Sequence, residues 1–214
     1  MAYARRPCLM AVAILVAGLS ACAVPVRGPD KTPPQGSSAA RQGVAAETPV
    51  NPAAKRDFDS ALKAMTSGND KEAERLLGQL ATNYPELSGP NANLGIVYLR
   101  SGRLADAERV VAQAIKQNPN NATYYNLLGI VDRTAGKFAE ARKAYDAALL
   151  IDANYAYAHL NIGILYDLYL NDTNKALQHY QRYQALTPKE DPQVAKWIAD
   201  LQQRMKKTER RTSG

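Results

Sequence analysis

The chain contains a sequence repeat, which is clearest in residues 93–119, NLGIVYLRSGRLADAERVVAQAIKQNP, and in residues 127–153, LLGIVDRTAGKFAEARKAYDAALLIDA. The two segments start 34 residues apart, and Gly95, Gly129 and Gly163 follow one another at the same interval. A column of alanines keeps this interval, with one extra residue before its last member: Ala73, Ala107, Ala141 and Ala176. Self-similarity at a fixed period indicates an array of similar units, each of which packs against its neighbours.

The recurring residue types predict that each unit is a hairpin of two helices. A glycine in the first helix, such as Gly129, and an alanine in the second, such as Ala141, let the two helices approach closely. Gly102 and Gly136 turn the chain between the helices of a unit, and Pro119 ends a second helix. Larger side chains at the equivalent positions of successive units are expected to fill the space between units: Val111, Tyr145 and Tyr180.

In its period and in these residues, the chain resembles the tetratricopeptide repeat family. The resemblance implies an all-α fold, a right-handed α-solenoid of helical hairpins. It covers residues 54–190, with first helices starting near Ala54, Ser88, Ala122 and Ala156, and it divides them into four repeats: 54–87, 88–121, 122–155 and 156–190.

Two repeats depart from the family pattern. The first has Ser60-Ala61 where the others have a residue pair ending in glycine, so it is expected to act as an N-terminal cap. The fourth has Leu170-Asn171 in place of the turn glycine and one inserted residue, which predicts a looser turn.

A capping helix is predicted over residues 191–206. Its apolar residues follow the i, i+3, i+4, i+7 spacing of an amphipathic helix: Val194, Trp197, Ile198, Leu201 and Met205. We expect this stripe to cover the apolar end of the last repeat. Residues 207–214 are predicted to be a basic tail, which is either a solvated terminus or a contact for anionic lipid or cell-wall polymer.

Residues 1–21 are predicted to be a cleaved lipoprotein signal peptide. Arg5 and Arg6 precede a 12-residue apolar core, which is too short to span a bilayer. The sequence Leu19-Ser20-Ala21-Cys22 resembles the lipobox of bacterial lipoproteins, which implies acylation of Cys22. An ordinary signal cleaved near Ala21 to Ala23 is the alternative. By the same resemblance, Ala23 implies that the protein is lipid-anchored at the periplasmic face of the outer membrane of a Gram-negative bacterium.

Residues 22–53 are predicted to be a disordered, proline-rich linker. They contain six prolines, three glycines and no aromatic residue, a composition that cannot bury a core. Apart from Cys8 in the signal, Cys22 is the only cysteine, so no disulfide, cysteine zinc site or thiol nucleophile is expected downstream.

The composition and motifs favour a protein without catalytic chemistry. The net charge of +7 falls to +5 when the signal with Arg5 and Arg6 is removed, which is too small to indicate nucleic-acid binding. The two histidines, His159 and His179, are twenty residues apart and have no metal-ligand spacing. We therefore predict no enzyme activity, no cofactor and no metal; an envelope hydrolase that uses one of these histidines is the competing class.

The family resemblance implies a peptide-binding groove along the concave face that the first helices form. Transferring the family's groove positions to this sequence gives a mixed apolar and polar set: Ile96, Arg100, Asn126, Ile130, Arg133, Tyr157, Leu160 and Ile164. Ile96, Ile130 and Ile164 form a stripe that we expect to face solvent when no partner is bound.

These features predict a lipid-anchored periplasmic adaptor for protein–protein interaction in an envelope assembly such as a pilus or secretion system. In layout the chain resembles the small tetratricopeptide lipoproteins of pilus and secretin assembly. The alternative is an adaptor of a TonB-type energy-transduction complex or of peptidoglycan enzymes. The expected partners are a protein or peptide segment of an envelope complex and the membrane through Cys22, with no nucleic acid and no small-molecule substrate.

Overall fold

The computed structural model describes residues 51–212, and the predicted signal, Cys22 and most of the predicted linker lie outside the described residues. Residues 51–212 form nine α-helices and no strand. In chain order the helices are α1 (Pro52–Thr66), α2 (Asp70–Asn83), α3 (Ser88–Arg100), α4 (Leu104–Gln117), α5 (Ala122–Thr134), α6 (Phe138–Ile151), α7 (Ala156–Leu168), α8 (Thr173–Leu186) and α9 (Pro192–Thr212).

The helices pack in the order of a solenoid. Consecutive helices form the hairpins α1–α2, α3–α4, α5–α6 and α7–α8, and the second helix of each hairpin contacts the first helix of the next. The first helices α3, α5 and α7 also contact each other in sequence, and α9 packs on α8. Because each hairpin touches only its neighbours, the first helices form one continuous side of the array.

The starts of the first helices follow the repeat. Helices α3, α5 and α7 begin at Ser88, Ala122 and Ala156. Helix α1 begins earlier than predicted, at Pro52, because the Asn51 side chain accepts a hydrogen bond of 2.8 Å from the Ala53 N–H and proline suits a first helical turn. The last two residues of the predicted linker are therefore helical.

The space between repeats is filled as the sequence predicts. Val111, Tyr145 and Tyr180 are fully buried. The buried residues form two clusters, one in the first three hairpins and one that runs from α6 through α7 and α8 to α9. The second cluster includes Trp197, whose ring centroid lies 5.4 Å from that of Tyr180.

The turn in the fourth repeat is one residue longer than the others. In the third repeat the Lys137 N–H donates to the Asp132 carbonyl at 2.8 Å, whereas in the fourth the Asp172 N–H donates to the Tyr166 carbonyl at 2.9 Å, across one more residue. Asn171 has φ 53°, the left-handed conformation that Gly136 adopts in the third repeat. Asparagine tolerates this conformation better than most residues, so the inserted residue is accommodated within the turn.

Helix α9 is longer than predicted. It begins with the Asp191 side chain accepting from the N–H groups of Gln193 and Val194, and it continues to Thr212, so residues 207–212 are helical rather than a tail. No glycine or proline interrupts the segment after Pro192, and its lysines and arginines are good helix formers that also favour a helix C-terminus. Within residues 51–212, no helix combines the length and the apolar character that a membrane span requires.

Candidate functional site

The eight predicted groove residues all lie on the first helices α3, α5 and α7, but they differ in accessibility. Ile96 is 3% exposed and Ile164 is 1% exposed, and Asn126 and Leu160 are also buried. The expectation that the isoleucine stripe faces solvent is therefore wrong for Ile96 and Ile164. The four accessible residues are Arg100, which is exposed, and three that are partly buried: Ile130, Arg133 and Tyr157.

Contacts between neighbouring first helices explain part of this burial. The Asn161 side-chain amide on α7 donates a buried hydrogen bond of 3.0 Å to the Asn126 side-chain oxygen on α5. Ile164 belongs to the second core cluster, and Ile130 packs against the same cluster. Residues on the edges of the first helices therefore pack against the next repeat, which leaves a narrower accessible surface than the family positions imply.

Two of the accessible residues are arginines, and they differ in their hydrogen bonding. The Arg100 guanidinium donates to the Met65 carbonyl at 3.2 Å and to Asp70 at 3.4 Å, so it joins α3 to the first repeat. Nη1 of Arg133 is buried, and among the described residues it has no hydrogen-bond acceptor. A buried donor without an acceptor costs about 1–3 kcal/mol, and more when the group is charged, so a ligand oxygen near Arg133 Nη1 would be favoured.

The start of α7 carries an aromatic group. The ring centroid of Tyr157 lies 6.4 Å from that of Tyr155 and 6.2 Å from that of Tyr183. Burial, followed by the charge of Asp191, raises the pKa of Tyr183 to about 12, so its hydroxyl stays protonated and donates to Asp191 at 3.2 Å. Tyr183 is buried, whereas the partly exposed rings of Tyr155 and Tyr157 offer a partner apolar area at a low entropic cost.

The two histidines, which the sequence separates by twenty residues, meet between α7 and α8. Their Nδ1 atoms lie 3.0 Å apart, and His159 Nε2 lies 3.2 Å from the Ala153 carbonyl. Because that carbonyl can only accept, His159 Nε2 carries the proton, and the Nδ1 of His179 donates to the Nδ1 of His159. The ring of Tyr166 stacks on His179 with centroids 5.8 Å apart.

Burial keeps this histidine pair neutral at pH 7. Burial lowers the pKa of His159. Burial also lowers the pKa of His179, to about 4, with smaller contributions from the His159 ring and the charge of Lys175. Within residues 51–212, no cluster of three or more His, Cys, Asp or Glu side chains is placed to hold a metal ion. The geometry describes a mutually hydrogen-bonded contact that joins α7 to α8.

Asp132 is an unusual buried residue of α5 that the sequence analysis did not identify. It is buried, its Oδ1 has no hydrogen-bond partner among the described residues, and burial, followed by the charge of Glu108, raises its pKa to about 6. The sequence did contain a clue to Asp132: the equivalent positions of the second and fourth repeats, 34 residues before and after it, are Tyr98 and Tyr166. Consecutive residues of α5, Asp132 and Arg133, thus carry an acceptor atom and a donor atom that have no partner among the described residues.

Comparisons with known proteins agree with this architecture. The tetratricopeptide repeat family matches residues 93–159 and 127–191. PilF of Pseudomonas aeruginosa is similar in structure, with a TM-score of 0.67 and 20% identity over 72% of this chain and 70% of PilF. A thermophilic TPR protein of Thermus thermophilus has a TM-score of 0.60 and 19% identity over 71% of this chain and 82% of its own.

A MamA double mutant, MamA RS-1 ArsTM, has a TM-score of 0.62 and 21% identity over 72% of this chain and 86% of MamA. Curated protein sequences yield no significant match. At such identities the structural similarity shows the fold, which is typically a non-catalytic scaffold that binds proteins or peptides. The family match over residues 93–191, together with the helical hairpins in solenoid order, shows that the chain contains tetratricopeptide repeats.

Proposed function

We propose that this chain is a lipid-anchored adaptor of the bacterial cell envelope that binds a peptide segment of a partner protein along the first helices α3, α5 and α7. The observation that carries the proposal is Arg133, whose buried Nη1 has no acceptor among the described residues. Ile130, one turn before it on α5, is partly exposed beside it. Together they suit a segment that presents a backbone carbonyl or a carboxylate next to an apolar side chain.

The anchor and the compartment are supported by the sequence. Leu19-Ser20-Ala21-Cys22 resembles a lipobox, and Ala23 resembles an outer-membrane sorting signal. The envelope assembly that we propose is a pilus or secretion system, with a TonB-type complex or peptidoglycan enzymes as the alternative. The similarity to PilF supports the fold of the adaptor, and the pilus itself stays a proposal at 20% identity.

A Cys22→Ser chain is expected to leave the membrane fraction. Removing the thiol removes the acylation site, and one acyl chain already contributes about 0.8 kcal/mol for each buried CH₂ group. Fractionation of cells that express each chain, with immunoblotting of pellet and supernatant, measures the difference. A Cys8→Ser chain is the matched control and should behave as the wild type. Cys22→Ser protein that stays fully in the membrane pellet would contradict the lipid anchor.

An Arg133→Met chain is expected to bind its partner at least tenfold more weakly while folding normally. Methionine keeps much of the apolar stem but removes the donors, and a hydrogen bond to a charged group contributes about 1.5–3 kcal/mol. Since Nη1 has no acceptor among the described residues, its loss should leave thermal stability unchanged or slightly higher. Arg109→Met, on the exposed surface of α4, is the control and should change neither property.

In-cell photo-crosslinking measures this binding directly. A photoreactive residue at Thr134, which is exposed at the end of α5, should capture the partner for identification by mass spectrometry. The same residue at Gln113, which is exposed on α4, should not capture it. If the yield from position 134 is the same in wild-type and Arg133→Met chains, the first helices are not the binding surface.

A further inference from the structure

The contact between His159 and His179 joins three elements of the fourth repeat. The Nδ1 hydrogen bond of 3.0 Å connects α7 to α8, and Nε2 of His159 fastens the pair to the turn before α7 through the Ala153 carbonyl. Arg182 of α8 binds the same turn, since its guanidinium donates to the Asn154 side-chain oxygen at 2.6 Å. The pair therefore helps to hold both helices and the preceding turn together.

The hydrogen-bond geometry limits how many protons the pair can hold. The bond between the two Nδ1 atoms needs one of them to lack a proton, so that it can accept. A first added proton can be accommodated, because the other Nδ1 still accepts. A second added proton leaves an N–H group on each Nδ1 atom, and two donors then face each other across 3.0 Å. Protonation of both rings is therefore incompatible with this contact.

The surroundings of His179 disfavour a charge on its ring. Burial lowers its pKa most, followed by the His159 ring and the charge of Lys175, which lies one turn earlier on α8. The other charged groups on this side are already paired with each other: Lys175 with Asp172 at 2.8 Å, and Arg142 of α6 with Asp146 at 3.3 Å.

His159 faces one cation and one carboxylate. Burial lowers its pKa most, and the Ala153 carbonyl raises it. The charge of Arg182 then lowers this pKa, and the charge of Asp152 raises it by less. Because these two charges act in opposite directions, the net shift is downward, in the direction that burial sets.

We propose that the histidine pair is an acid-sensitive latch, which holds α8 against α7 at neutral pH and loosens the fourth hairpin when protons are added. In a loosened hairpin the rings reach water, where each can be charged without opposing N–H groups. Acid then favours the loosened state because that state binds more protons. Tyr157 of the candidate groove lies on α7 and packs against Tyr183 of α8, so loosening should also weaken peptide binding, a consequence that rests on the proposed function.

The expected pH window follows from His179. Its pKa is about 4 in the closed hairpin and about 6.5 for an imidazole in water, so the loosened state gains protons first as the pH falls. The latch is fully effective above about pH 6.5 and weakens steadily towards pH 4. Between pH 7 and 5 the equilibrium constant for loosening should rise about tenfold, after allowance for solvent screening of a partly exposed ring.

Hydrogen exchange measured by mass spectrometry tests the latch locally. A local measurement is needed because Asp132, whose pKa is raised to about 6, has the opposite pH dependence and becomes less costly to bury in acid. The purified full-length chain is compared at pH 7 and 5, with each protection factor corrected for the intrinsic exchange rate at that pH. We expect α8 to lose about tenfold more protection than α2, which lies at the other end of the solenoid.

His179→Asn separates the latch from the general effect of acid. Asparagine does not titrate, and its side-chain amide can donate to Nδ1 of His159 in place of the ring. The pH dependence of α8 protection should then match that of α2. Gln178→Asn, at the adjacent exposed position, is the matched control and should keep the wild-type pH dependence. NMR titration of the wild-type chain needs no variant and should show both rings titrating at a lower pH than free histidine.

The proposal is overturned if the protection of α8 and α2 changes in parallel in the wild type, if His179→Asn keeps the wild-type pH dependence, or if both rings titrate as free histidine does. Should His179→Asn fail to fold, the wild-type exchange and the ring titration still decide. These measurements involve no partner, so a loss of crosslinking from position 134 at pH 7 would contradict the proposed peptide binding and leave the latch standing.

Discussion

A Trp197→Ala chain is expected to have a free energy of unfolding about 3–5 kcal/mol lower than that of the wild type, the range for truncating a large buried aromatic residue. Trp197 is 2% exposed, and it packs against Tyr180, which itself fills the space between repeats. Truncation opens a cavity at the point where α9 meets the fourth repeat. Because α9 covers the apolar end of the solenoid, the substitution should destabilise the whole last hairpin, α7–α8.

Urea denaturation followed by helical circular dichroism measures this effect. Lys196→Ala, the adjacent and more accessible position, is the matched control and should change the free energy of unfolding by about 0.5 kcal/mol or less. The free energy of unfolding of Trp197→Phe should lie between those of Trp197→Ala and Lys196→Ala. Phenylalanine keeps an aromatic ring and removes the buried Nε1, which has no acceptor among the described residues. An unchanged midpoint for Trp197→Ala would show that α9 does not dock on the repeats.

A Gly129→Ala chain is expected to be destabilised by about 1–3 kcal/mol, the usual cost of overpacking a core. A Cβ atom at position 129 would lie 2.6 Å from Cδ1 and 2.9 Å from Cζ of Tyr145, and closer still to Cε1. Tyr145 is fully buried between repeats, so its ring has no free space into which to move. The backbones of α5 and α6 would have to separate.

Gly78→Ala is the matched control for this substitution because it has the opposite expected sign. Gly78 lies inside α2, and a Cβ atom there meets nothing within 4 Å. Alanine should therefore raise the free energy of unfolding by about 0.5–1 kcal/mol through its better helix propensity. If the melting temperatures of both variants shift in the same direction, the close approach of the Tyr145 ring is not the reason for glycine at position 129.

The repeat explains why so much of the fold could be predicted from the sequence alone. A 34-residue period assigns each residue a position within one hairpin, and nearest-neighbour stacking then fixes its surroundings. Ser88, Ala122 and Ala156 begin helices, and Tyr145 and Tyr180 are buried between repeats, because these properties depend on contacts within one or two units. The burial of Trp197 follows from the apolar stripe of a single helix.

The candidate site was less predictable because it depends on distances between units. Position within a repeat indicates which residues lie on the inner side, but the spacing of α3, α5 and α7 decides whether Ile96 and Ile164 are reached by water. That Nη1 of Arg133 has no acceptor within residues 51–212 likewise depends on every neighbour around it and has no signature in the local sequence.

The residues of the chain were therefore sufficient for properties that arise within a repeat: its helices, its turns, its interior alanines and glycines, and the cap. The tertiary structure alone brought His159 to His179 and joined Arg204 to Asp167. Each of these pairs joins side chains that lie on different helices. Periodicity specifies where a side chain sits on its own helix, whereas a contact between helices also requires their separation and angle, which only the packed core sets.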